Sequence, residues 1–112
     1  MKRTVFFTLG LLVFAYCSNA QPSVTEQVAQ HLAIKLKDSL DLSVAQKDSL
    51  LTINLLLANQ KSQWRSVYQH TDSLQFYIQR VERTRDSLYR PVLGEEKYFL
   101  YKEKKKTLLS VN

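Results

Sequence analysis

His31 and His70 are the first residues to examine for metal chemistry, and they stand 39 positions apart. Neither has a second ligand at the short spacing of a local zinc site, where three or four donors must converge. The acids Glu26, Asp38, Asp41, Asp48, Asp72, Glu82, Asp86, Glu95, Glu96 and Glu103 mostly sit beside a Lys or Arg or at a helix start, and no pair stands apart as an acid–base couple. No serine falls in a nucleophile elbow or a Ser-x-x-Lys pattern. Gly94 is the one glycine after Gly10, so no glycine-rich phosphate loop can be built. These patterns point away from an enzyme and call for no cofactor and no metal.

The residue types that remain are suited to binding. Trp64, Tyr68, Phe76 and Tyr77 are aromatics close in sequence, and Arg80, Arg83, Arg85 and Arg90 follow with only Glu82 and Asp86 against them. Aromatic rings supply large apolar contact, and arginines attract acidic or unfolded partners at long range. We take Trp64, Tyr68, Phe76, Tyr77, Arg80, Arg83 and Arg90 as the candidate partner-binding residues. The plain alternative is a solvated basic face, and for Phe76 cover by another helix.

Helices must position these side chains. Between Pro22 and Pro91 the chain contains neither proline nor glycine, which favours helix and disfavours the turns of a β-protein. Ser23-Val24-Thr25-Glu26 reads as a capping box, in which two otherwise orphaned N–H groups are satisfied reciprocally. It opens a helix over about 24–38 that carries Val28, Leu32 and Leu36. Ser43-Val44-Ala45-Gln46 opens a second segment, 43–90. There a heptad seam runs through Leu50, Ile53, Leu57, Trp64, Val67, Leu74, Ile78, Val81 and Leu88. Thr71, Arg85 and Gln60 are the polar exceptions, and Thr52, Asn59, Ser66, Ser73, Arg80 and Ser87 form a wholly polar column.

One helix of that length would reach about 70 Å, too long for a strut in so small a monomer. It must break, or lie against another chain or a folded-back helix. Asp72-Ser73-Leu74-Gln75 is a third capping box and marks a bend or a loop near 70–72. Residues 50–58 are apolar nearly all round and should lie at the centre of the core. Arg90-Pro91 should end the long segment, since proline removes a donor and restrains the residue before it. A last helix, 94–109, begins with Glu95 and Glu96 and carries its lysines toward the other end.

Leu42-Ser43-Val44-Ala45-Gln46 resembles the L-[S/T]-x-x-Q motif of the LTxxQ family, the Spy- and CpxP-like periplasmic proteins. A second copy resembling the L-T-P-E-Q-Y-x-x-Y form falls at Leu93-Gly94-Glu95-Glu96-Lys97, with Tyr98 and Tyr101 after it. Gly94 replaces Thr and Lys97 replaces Gln, so this copy has no capping box. The motif residues Leu42, Ser43, Gln46, Leu93 and Gly94 are structural on this reading. The resemblance implies a helical chain that pairs into a curved dimer and acts as an ATP-independent chaperone or as an accessory to an envelope-stress sensor. Some members bind zinc, for which the two scattered histidines are ill suited.

The first 20 residues read as an export signal. Lys2 and Arg3 lead, an apolar run follows from Val5 to about Tyr16, and Ser18-Asn19-Ala20 offers small residues for cleavage after Ala20. The run is about 12 residues, short of the roughly 20 that span a membrane. Tyr16 before Cys17 is a poor fit to a lipid-modified cysteine. Removing 20 of 112 residues leaves 92, enough for one small domain, 21–112, without cysteine and with a net charge lowered from +6 to +4. The expectation is therefore a periplasmic or secreted, all-α helical hairpin or bundle with one long amphipathic helix, forming a homodimer. It binds unfolded or envelope proteins as a holdase, or one envelope protein as an adaptor. Nucleic acid and a stable membrane span are not expected.

Overall fold

The computed structural model describes residues 23–109. The expected export segment, 1–20, lies outside them. Among the described residues the architecture is all-α, with helices α1 (Val24–Leu40), α2 (Val44–Tyr68) and α3 (Ser73–Leu109).

Each start and stop has a local cause. Ser23 caps α1 by accepting from the Glu26 N–H at 3.2 Å. Asp41 ends the helix in the left-handed region, φ 53°, and the Leu42 N–H reaches back to the Lys37 carbonyl at 3.0 Å. That closing turn ties up a carbonyl the helix would otherwise orphan. Helix α1 runs to Leu40, slightly beyond the expected 38. The capping box at Ser43 is complete: its Oγ accepts from the Gln46 N–H at 3.1 Å, and its N–H donates to Gln46 Oε1 at 2.9 Å.

Between 69 and 72 the segment expected over 43–90 is interrupted by a full reversal, with His70 at φ 65°. Histidine is among the non-glycine residues that more readily adopt this conformation. The Asp72–Gln75 box is not formed among the described residues. Thr71 Oγ1 instead donates to the Tyr68 carbonyl at 2.7 Å, tying the turn to the end of α2. The reversal brings the two halves of the seam against each other within one chain.

Pro91 does not end the helix. Helix α3 continues through it, and the break falls at Gly94, φ 79° and ψ 164°. Proline's fixed φ suits a helix, and Ser87, whose carbonyl loses its N–H partner, lies on the exposed side with Pro91. Water can serve that carbonyl. The Gly94 conformation is essentially reserved for glycine, so this residue determines where the chain turns. The arm after it folds back on the arm before it: Lys105 Nζ meets Asp86 Oδ2 at 2.7 Å. Along a straight helix those residues would stand about 28 Å apart.

Four helical stretches thus surround the lower core. Leu32, Leu36, Leu40, Leu42, Leu50, Tyr89, Leu93, Tyr101 and Leu108 form one buried cluster. Lys35 donates to the Thr107 carbonyl at 3.1 Å and Lys104 to the Ser39 carbonyl at 3.4 Å, fastening α1 to the terminal arm. Within the apolar run 50–58, Leu50 and Leu57 are fully buried, but Leu56 is 49% exposed, so the run is not covered on every side. From 59 to 80 no residue is fully buried. That part of the hairpin extends from the core, in a molecule measuring 64 × 38 × 24 Å.

Candidate functional site

The protruding end of the hairpin gathers the four aromatics. Trp64 and Tyr68 lie one turn apart on α2, and the reversal at 69–72 sets Tyr77 of α3 opposite them. Tyr77 stacks on Trp64 with centroids 4.1 Å apart and on Tyr68 at 4.6 Å. Phe76 meets Tyr77 edge-on at 5.3 Å. The edge-on contact suits the quadrupoles of the rings. The Tyr68 hydroxyl lies 3.4 Å from that of Tyr77 and donates to it.

Trp64, Tyr68 and Tyr77 are half-buried by one another, whereas Phe76 is 57% and Val67 68% exposed. Cover for Phe76 by another helix is therefore not found, and Val67 does not behave as a buried seam residue. The protein core cannot reach this end, because α1 starts lower on the hairpin. Val24 lines the same groove as Lys61, Ser62 and Arg65.

Arg80 and Arg83 share one exposed face of α3 with Phe76, at four and seven residues beyond it. Neither forms an ion pair among the described residues. Arg90 continues this face but is engaged: it pairs with Glu95 at 3.0 Å and lies over the Tyr98 ring at 5.5 Å. It helps hold the bend at Gly94 and is apart from the aromatic end. Arg85, expected on the solvated basic stretch, is buried.

The buried arginine belongs to a polar node that sequence reasoning missed. Arg85 Nη1 donates to Asn54 Oδ1 at 2.8 Å and to the Tyr89 hydroxyl at 3.0 Å, and its Nε donates to Glu82 Oε2 at 3.0 Å. Tyr89 also donates to Asn54 Oδ1, and Lys61 donates to Glu82 Oε1. Asn54 Nδ2 reaches the Ala29 carbonyl at 3.2 Å, so the node joins all three helices. Burial alone would raise the Glu82 carboxyl, but Arg85 and Lys61 hold it below the usual range. Burial pushes the Tyr89 hydroxyl up. The available signal was Asn54 within the most apolar run and Arg85 on a seam position.

A second cluster locks the terminal arm. Asp86 accepts from Tyr101 at 2.9 Å, from Lys105 at 2.7 Å and from Lys102 at 3.3 Å. Burial would raise its carboxyl, but these hydrogen bonds lower it instead. Burial and the neighbouring carboxylate push the Tyr101 hydroxyl up.

The motif residues meet at the base. Leu42 and Leu93 are both in the core cluster, and Gln46 Nε2 donates to the Val92 carbonyl at 3.1 Å. Gln46 thus caps α2 and also holds the backbone next to the Gly94 bend. No group of three or more His, Cys, Asp or Glu able to hold a metal ion is gathered among the described residues. No helix there is long and apolar enough to cross a membrane. Comparison with protein-family models, with curated proteins and with solved structures gave no match to the chain.

Proposed function

We propose that this chain is an exported, non-enzymatic binding protein of the ATP-independent holdase type, which takes apolar segments of unfolded proteins on the aromatic end of its hairpin. The observation that carries the reading is the exposure of Phe76 and Val67 beside the stacked Trp64, Tyr68 and Tyr77, on a part of the hairpin that contributes nothing to the core. Exposed apolar clusters of this kind mark interaction sites. Arg80 and Arg83 add long-range attraction for acidic stretches. The likeness of Leu42-Ser43-x-x-Gln46 to the LTxxQ motif supports the same class.

The test is light scattering of two unrelated aggregating clients with the mature chain, 21–112, at low and high salt. Suppression of both, weakened by salt and reduced several-fold in Phe76→Ser/Val67→Ser, is the expected result. Failure to delay either client rejects the holdase reading.

Only Val67 and Phe76 are exposed large apolar residues at this end among the described residues, which favours a second reading, an adaptor that recognises one envelope protein. Such a protein ignores both clients and crosslinks to a single partner. Self-association belongs to the proposal on a changed basis. Most of the seam that motivated it is at least half-buried within the chain, whereas Val67 stays exposed, so a second copy would meet this one through the aromatic end.

A further inference from the structure

Beside the stem of the hairpin, where α1 diverges from α2, lies a groove of about 450 Å³. Val24, Val28, Leu32, Ala58 and Leu109 give it apolar walls, and Arg85 and Glu82 line it as well. Arg85 is only 6% exposed, and its Nε and Nη1 are engaged. Its Nη2 makes no hydrogen bond among the described residues. Nor is any fully buried side-chain nitrogen or oxygen left without a partner among the described residues. Nη2 is therefore not fully enclosed, and Arg85 lines the groove. Arg65, also lining the groove, forms no ion pair among the described residues. With Lys61, three cations face one carboxylate, Glu82.

We propose that this groove binds a small amphipathic monoanion, a medium-chain fatty acid, with its carboxylate on Arg85 Nη2 and Arg65 and its chain along the wall formed by Val28, Leu32 and Ala58. The excess of positive charge selects an anion, and a planar guanidinium edge suits a carboxylate. The apolar walls select a hydrocarbon tail. The volume lies in the range of small-molecule sites, whereas a protein partner would need roughly 800 Å² of surface on this side. The groove uses none of the aromatic residues of the hairpin end.

Calorimetric titration of the mature chain with decanoate, kept below its micelle concentration, tests the proposal. Saturable one-to-one binding is expected, about tenfold weaker for decanol, which keeps the tail and loses the charge-assisted hydrogen bonds. Acetate, which keeps only the charge, should give no measurable binding. Ala58→Phe fills the groove from within and should abolish binding. Val28→Trp does so from a rim position that is 47% exposed, which keeps the test valid if the first variant fails to fold. Arg65→Gln should weaken binding several-fold. Absence of binding to the wild-type chain, equal binding of decanol, or binding that survives filling in a folded variant overturns the proposal.

Discussion

Asn54 is the side chain through which the polar node reaches α1. Its oxygen accepts from both Arg85 and Tyr89, and its amide serves the Ala29 carbonyl of α1. Leucine in its place keeps the volume but strips all three hydrogen bonds and leaves a buried guanidinium short of an acceptor. A buried group left unpaired costs about 1–3 kcal/mol, and more when charged. Asn54→Leu should therefore lower the unfolding free energy by about 3 kcal/mol, measured by urea denaturation. A change within 0.5 kcal/mol, the scale of ordinary surface substitutions, would show that the node contributes little. Neither the pairing nor its depth could be read from the sequence, because Asn54 and Arg85 are 31 positions apart and meet only once the chain has reversed at 69–72.

At the scale of the element, Gly94 decides the path of the last 15 described residues. A Cβ there would meet nothing within 4 Å, so space does not forbid a larger side chain; the backbone angle does. Strain of this kind costs about 1–3 kcal/mol. Gly94→Ala should lose that much stability in urea denaturation, and Gly94→Asn should fare no better, since its tolerance extends to the left-handed helical region and not to this one. A neutral Gly94→Asn would mean that the bend is an ordinary left-handed cap. Helix starts were partly legible here: Ser23 and Ser43 both cap, but only Gln46 closes its box, and the return bond expected from Ser23 to Glu26 is not formed among the described residues. The end of α3's first arm was misplaced at Pro91, because a proline near a helix end costs little when the carbonyl it deprives faces water.

Across the whole molecule, two ionic clusters bind the stretches together, Glu82 in the node and Asp86 on the terminal arm. Both carboxyls are held below their ordinary values in the folded state. Their stabilisation is therefore complete above about pH 5, where the unfolded chain is ionised as well, and is lost as the pH falls through about 4 toward the lower folded-state values. The melting temperature should drop over that window. Asp86→Asn should flatten the drop, as the group that takes up a proton on unfolding is gone. A melting temperature constant from pH 6 to pH 3 would contradict this linkage. Stability is also uneven along the long axis: the base packs four helical stretches, whereas at the hairpin end two helices meet, through the rings of Trp64, Tyr68 and Tyr77.

The sequence by itself determined the helical class, the two capped starts and the polar outer column, because these depend on residues within a turn or two of each other. It also set the aromatics close together in the chain, though not their stacking. Only the tertiary structure decided that the seam closes on itself, that Arg85 turns inward and Phe76 outward, and that the terminal arm returns along α3. Those outcomes follow from where two reversals fall, at 69–72 and at Gly94. A reversal sets which distant residues meet, and periodicity along a single helix carries no record of that.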